Sequence, residues 1–403
     1  MLRGLGSGYH GSNNFPNFVL RDYLRLNKPL SFELGYSVGL FAIYPGNAAL
    51  MQDKNLQNLF GKPELAKIQS NALLSSLYNR ATMEHGHEQL AGIVASVIDY
   101  DIGGSQHVKL SPLSEVVCDN CGTGGDRIGT FHISTIAAFI AAAHGMRMAK
   151  HGSPGNARQS GSSDMINALG IDNMPEPNKV ERAIDNVGFA YIEALDTRYK
   201  SIHVQTHEFA RFAHMNDIIG PMTNPVDPSK LQIKLLGTNA IVSPITIALA
   251  YKKLNELGVT NIKRGLFVRG YLNGDTTITT DEVSIMRGGT EAALLDNGRI
   301  TKMHINFSSF GFEHPVRVED IRPRYNTKDG RIGYSLEVIN GNAPNGAINT
   351  LLANSAAIIA LNMEKIDFIE ATKMAETVFK SGGHIDIINS VKTALPLREE
   401  VVL

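Results

Sequence analysis

With 403 residues, 43% of them apolar, the chain can bury a large core, and its length points to two domains, not to a fibrous or disordered polymer. Lys and Arg number 38 against 39 Asp and Glu, a net charge of −1, which excludes the global basic field that drives non-specific nucleic-acid binding. No run of about eighteen apolar residues occurs, and Met1 to Gly6 leads into Gly, Ser and Asn without an apolar signal core, so a cytoplasmic protein with no membrane span is expected.

In chain order, residues 1 to about 15 read as a mobile tail. From residue 16 to 108 the pattern is helical. Leu90, Ile93, Val94, Val97 and Ile98 fall at i, i+3, i+4, i+7 and i+8, one apolar face of a helix. From residue 109 to 403 strands alternate with helices: strands are expected near Ser114 to Val117, Met146 to Met148, Phe189 to Ile192, Gly265 to Val268, Ile278 to Ile285 and Lys302 to Asn306. Phe368, Ala371, Ala375, Val378 and Phe379 share one face of the last long helix. The fold class is therefore α/β: a small all-helical N-terminal domain followed by a larger, parallel-rich α/β domain. Cys118 and Cys121 form a single CxxC without a second pair, and read as strand and loop residues, not a metal or redox site.

The chemistry concentrates between residues 121 and 164. Gly122, Thr123, Gly124 and Gly125 let backbone N–H groups approach an anion that a Cβ would hold away, and Asp126 can fix the turn or meet a metal that the anion carries. Ser134 and Thr135 open an alanine-rich run, an N-cap feeding a helix whose positive end faces the same anion. Lys150 follows a short strand and adds a point charge. Strand, glycine loop, helix, strand and lysine make one β-α-β unit with every polar device at one end.

These residues, together with the run Lys150 to Asp164, Gly220-Pro221-Met222-Thr223-Asn224-Pro225, Thr280-Asp281-Glu282-Val283-Ser284 and Lys380-Ser381-Gly382, resemble the anthranilate phosphoribosyltransferases and their relatives of the nucleoside phosphorylase type II fold. The resemblance covers most of the chain. It implies a cleft between the two domains, helices from about 195 to 225 joining the helical domain, and a homodimer built from that domain. It implies transfer of 5-phosphoribosyl from phosphoribosyl diphosphate to an aromatic or heterocyclic acceptor, with release of pyrophosphate and with Mg²⁺ as cofactor. Asp281 and Glu282 would hold the metal, joined by Ser134, since adjacent carboxylates offer hard oxygen ligands and leave further positions to water and phosphate. Gly122 to Asp126, His132, Ser134, Thr135, Lys150 and Arg158 would hold the diphosphate, and Lys150 and Asp126 carry the catalytic charge.

Several positions depart from the family pattern. His132 stands where the family has Asn, Ser153 and Pro154 where it has Asn-Arg, and Arg158 recovers a displaced cation. On the acceptor side the family's histidine falls on Thr197 and its carboxylate-binding arginine on His207; Ser153, Thr197, His207 and Arg211 are the acceptor candidates. His203, His207 and Arg211 repeat at i, i+4 and i+8 on an expected helix, with His214 beyond, and read as a polar face, a reshaped acceptor site or a metal pair. An imidazole with an ordinary pKa of about 6.5 is only about one quarter protonated at neutral pH and lacks the bidentate fork of arginine. The sequence reading is therefore a phosphoribosyltransferase with an altered acceptor pocket; its alternatives are a true anthranilate phosphoribosyltransferase of tryptophan biosynthesis and a non-catalytic nucleic-acid-binding relative.

Overall fold

A computed structural model describes residues 28–104, 106–124, 128–155, 160–207, 214–238 and 240–397. The expected tail at residues 1–15 lies outside them. The chain divides into two compact units: one comprises Met1–Lys109, Leu195–Ser229 and Ile241–Asn261, the other Leu110–Ala194, Lys230–Ala240 and Ile262–Leu403.

The first unit begins with α1 (Phe32–Ile43), α2 (Ala48–Gln52), α3 (Lys54–Phe60), α4 (Pro63–Tyr78) and α5 (Gly86–Ser96), which runs into a π-helical turn at Val97–Ile102. Caps are written locally: Asp53 accepts from Asn55 N and Leu56 N at the start of α3, and Pro63 opens α4, where no intrahelical N–H is needed. The stripe of Leu90, Ile93, Val94 and Val97 is fully buried. Helices α1 and α5 pack at glycine distance, because a Cβ on Gly92 would lie 2.1 Å from the Phe32 carbonyl and one on Gly35 2.5 Å from that of Gln89.

The second unit takes up the chain with β1 (Val117–Gly122), α6 (Ile133–Ala143), β2 (Met148–Gly152), α7 (Ser162–Ala168), α8 (Pro177–Asn186) and β3 (Phe189–Glu193). The chain then returns to the first unit for α9 (Ile202–His207) and α10 (Asn216–Met222), supplies β4 (Leu231–Gly237) to the second, and returns once more for α11 (Pro244–Glu256). The Asp101 carboxylate, at the end of the π-helical turn, accepts from Ser201 N and Ile202 N, both at 2.9 Å, and so caps α9 within the first unit. The rest of the second unit is β5 (Arg264–Leu272), β6 (Asp275–Thr280), β7 (Thr290–Asp296), β8 (Arg299–Ile305), α12 (Lys328–Ile339), α13 (Asn345–Ala360), α14 (Phe368–Ser381) and α15 (Gly383–Ala394). Among the described residues no helix is long and apolar enough to cross a membrane.

The sheet of the second unit has eight strands in the order β3-β2-β1-β4-β5-β7-β8, with β6 paired to β5. Strands β3 to β5 along this order are parallel, and β5 pairs antiparallel with both β6 and β7. The sheet is thus parallel where the glycine loop leaves it and antiparallel beyond. Helix α6, apolar on all sides, is covered by α13 and α15 and stacks Phe139 on Phe189 with ring centroids 4.2 Å apart. One expected strand is shorter than read: β6 stops at Thr280 instead of running to Ile285, because Val283 N donates to Asn354 Oδ1 and Ser284 N to Thr290 Oγ1, leaving no ladder to continue.

Candidate active site

The parallel strands all end on one edge, and the candidate residues gather there within the second unit. Strand β1 delivers Gly122, Thr123 and Gly124. A Cβ on Gly122 would lie 1.9 Å from Asp281 Oδ2, and one on Gly237, at the end of β4, 1.5 Å from the Asp281 carbonyl oxygen. The two bare glycines let the segment after β6 cross the ends of β1 and β4, which brings Asp281 to a loop 157 residues earlier: Gly124 N donates to its Oδ2 at 2.7 Å. Gly124 has φ +67°, a left-handed turn that suits glycine. Thr123 N donates to the Gly237 carbonyl at 3.0 Å and ties the loop to β4.

Helix α6 starts two residues earlier than an N-cap at Ser134 would place it. His132 is the N-cap and makes no side-chain capping bond, so Ser134 and Thr135 lie in the first turn instead of capping it. The first-turn N–H of Ser134 goes to Glu282 Oε1 at 3.2 Å, a carboxylate brought from the next loop to the helix's positive end. Lys150 on β2 is fully buried, and its Nζ donates to the Asn120 carbonyl at 3.1 Å and to Ser134 Oγ at 3.4 Å. Asn120 Nδ2 in turn donates to the Ser134 carbonyl at 2.8 Å. Burial pulls the Lys150 ammonium below its ordinary range. Glu282 is pushed up, first by loss of water around its carboxyl and then by the neighbouring Asp281 charge, against the opposing pull of Lys150. Lys234 on β4 and Asp119 on β1, both wholly buried, form an ion pair, and Asp119 Oδ1 accepts from His151 N at 3.1 Å.

Two more segments border this edge. Asp164 Oδ2 accepts from Gly155 N at 2.9 Å and Gly161 N at 2.7 Å, closing the run from Ser153 to Asp164 at the start of α7, and the Ser153 carbonyl accepts from Ser163 N at 3.3 Å. His132 turns to α12: its N and its Nδ1 reach Ser335 Oγ at 3.0 and 2.8 Å. Burial, then the Arg331 charge, pushes its imidazole down to about 3, so it is neutral; Nδ1 is taken by Ser335 Oγ, and Nε2 is buried without a hydrogen-bond partner. Gly125, Asp126, Arg158 and Arg211 lie outside the described residues, and only the backbone of His207, the last residue of α9, is described.

In the first unit Thr197 is exposed in a turn between Asp196 and Arg198, whose side chains pair with Arg198 Nη2 to Asp196 Oδ2 at 2.6 Å. His203 is buried, with its ring filling the space that a Cβ on Gly220 would take, 2.7 Å away. At the end of β3 in the second unit, Ser163 Oγ donates to Glu193 Oε2 and lies 2.8 Å from the Tyr191 hydroxyl, a fully buried polar cluster. Asp119, Lys234, Glu193, Arg331 and Ser335 escaped the sequence reading. For Lys234 and Asp119 a signal existed, a charge in the middle of an apolar strand, which must find a partner when the sheet is covered on both faces.

Adjacent carboxylates on Asp281 and Glu282, with no group of three or more acidic, Cys or His side chains gathered among the described residues, suit a hard divalent cation that completes its shell with water and phosphate oxygens. Each carboxylate already has one oxygen oriented by a backbone N–H, Gly124 for Asp281 and Ser134 for Glu282. That second layer of bonds fixes their direction.

A family model described as the a/b domain of the glycosyl transferase family matches residues 114–385. The anthranilate phosphoribosyltransferase of Petrotoga mobilis is 30% identical over 310 residues, covering 73% of this chain and 84% of the relative. That of Pseudoalteromonas translucida is 27% identical over 344 residues, covering 84% and 88%. Among solved structures, the anthranilate phosphoribosyltransferase of Thermus thermophilus superposes with a TM-score of 0.71 at 20% identity, covering 93% of this chain and 98% of that one. The Saccharomyces cerevisiae enzyme in complex with PRPP and Mg gives 0.68 at 20%, covering 91% and 93%.

Proposed function

Because the chain belongs to the anthranilate phosphoribosyltransferase group of the glycosyl transferase family, we propose that it transfers 5-phosphoribosyl from phosphoribosyl diphosphate to an aromatic amine, releasing pyrophosphate. The observation that carries this reading is the convergence of the Gly122 to Gly124 loop, the start of α6, Lys150 and the Asp281-Glu282 pair on one edge of the sheet.

In this reading the N–H groups of the glycine loop and the first turn of α6 receive the diphosphate. Ser134 and Thr135 offer hydroxyls, and Lys150 supplies a cation held in a dry site, where its charge acts strongly. Asp281 and Glu282 would hold Mg²⁺, with Ser134 beside it; when bound, the ion neutralises charge developing on the leaving pyrophosphate. Arrival of a cation also favours the ionised form of Glu282, which burial and Asp281 otherwise disfavour. The acceptor amine has its own lone pair, so the protein's contribution is positioning and charge stabilisation, without a covalent nucleophile.

Anthranilate is the acceptor to test first, since the relatives bear that activity in their names. A second reading, an acceptor other than anthranilate, is favoured by the buried Glu193 carboxylate at the end of β3 and by Thr197 and His207 at the family's anchor positions. The assembly is read as a homodimer of the helical unit, supported by Leu65 and Ile68, exposed 53% and 58% one turn apart on α4. Calorimetric titration with phosphoribosyl diphosphate and Mg²⁺ tests the donor site. Pyrophosphate release with anthranilate then separates the two acceptor readings, and absence of donor binding would overturn both.

A further inference from the structure

Helix α12 has no part in the chemistry described so far, yet it touches both segments that border the site. It begins at the Thr327 cap, whose Oγ1 accepts from Gly330 N at 3.1 Å, and just before it Asn326 presses on Gly129, where a Cβ would lie 2.3 Å from the amide oxygen. One turn on, Arg331 Nε donates to the Thr130 carbonyl at 2.8 Å and its Nη1 to the Ser160 carbonyl at 2.9 Å. A further turn along the same face, Ser335 Oγ meets His132 twice, at N and at Nδ1. Lys328 Nζ lies 3.6 Å from Asp164 Oδ1, the carboxylate that closes the Ser153 to Asp164 run.

One face of one helix therefore grips the segment that feeds α6 and the segment that feeds α7. The two carbonyls joined by Arg331 lie 30 residues apart in sequence. A guanidinium suits this task, because its rigid fork can serve two acceptors in fixed directions while a lysine ammonium is a single point donor on a flexible stem. We infer that Arg331, with Ser335, is a positioning residue for phosphoribosyl diphosphate: it clamps the 128–132 and 160–164 segments so that the start of α6 is held in its ligand-receiving position. This rests on the function proposed above, in which the first turn of α6 receives the diphosphate.

The test reads the clamp in the protein alone and the ligand separately. Amide hydrogen exchange is followed in peptides covering 128–136 and 160–168 for wild type, Arg331→Ala, Arg331→Lys and Ser335→Ala, with a β3 peptide as control. Arg331→Ala should speed exchange in both peptides and leave β3 unchanged; Ser335→Ala should speed it in the first alone. Calorimetry with phosphoribosyl diphosphate and Mg²⁺ should show about tenfold weaker binding for Arg331→Ala, the loss expected for one charged hydrogen bond, with KM for the donor raised and kcat nearly kept. Arg331→Lys should recover less than half of the loss on a logarithmic scale. Unchanged exchange in both peptides overturns the proposal, as does faster exchange throughout the sheet or faster local exchange with undiminished affinity. A wild-type protein that binds no phosphoribosyl diphosphate defeats the proposed function, a result distinct from any exchange outcome.

Discussion

Replacing Lys234 by Met removes the positive half of an ion pair whose side chains are both fully buried, between β4 and β1. The Asp119 carboxylate would keep the His151 N–H at 3.1 Å but lose its counter-charge in a place water does not reach. Breaking a buried pair from one side costs about 3–5 kcal/mol, whereas replacing both members by neutral groups of similar volume is close to neutral. Against a total stability of about 5–15 kcal/mol, the single substitution should remove about a fifth or more. Lys234→Met should therefore lower the urea midpoint of the sheet-containing unit strongly, read by circular dichroism. The double variant with Asp119→Asn, which keeps an oxygen for His151 N, should return to within about 1 kcal/mol of wild type. Because His151 follows Lys150, the single variant should also weaken phosphoribosyl diphosphate binding. A loss below about 1 kcal/mol in the single variant, or a double variant no better than the single, would show that the pair is not a desolvated one.

Replacing both Asp281 and Glu282 by Ala should abolish the Mg²⁺ dependence of donor binding, and an unaltered dependence in calorimetry would remove these residues from the metal site. Burial holds the His214 imidazole down at about 4, below its ordinary 6.5, so the folded state resists the proton that the unfolded chain accepts. Its contribution is present above pH 6.5 and lost as pH falls toward 4, about 2 kcal/mol by pH 5. The urea midpoint of His214→Gln should accordingly fall less than that of wild type between pH 7 and 5, and parallel curves would refute the assignment. His207→Arg should tighten anthranilate by about tenfold to a hundredfold, the value of one charged hydrogen bond; no gain would place the family's carboxylate anchor elsewhere.

Sequence alone determined the parts whose chemistry is local. The glycine loop, the alanine-rich helix, Lys150 and the Asp281-Glu282 pair are each continuous segments, and their order alone carries the family resemblance. Glycine and proline placement, caps and the stripe at Leu90 to Ile98 act over a few residues, so the helical and α/β parts are distinct in the sequence itself. Where segments meet was decided only by tertiary structure. Ser134 looks like a cap in one dimension; in three, Glu282 takes its N–H and the helix starts before it. The 278–285 run alternates like a strand, yet Asn354 and Thr290 take the N–H groups that a neighbouring strand would have taken. Arg331 reads as one more solvated cation on a polar helix, and nothing local says that its fork spans two carbonyls 30 residues apart in sequence. Ionisation follows the same division: a residue's type sets its ordinary pKa, but the low-dielectric surroundings that pull Lys150 down and push Glu282 up are made by segments far along the chain, and exist only once the strands have closed over them.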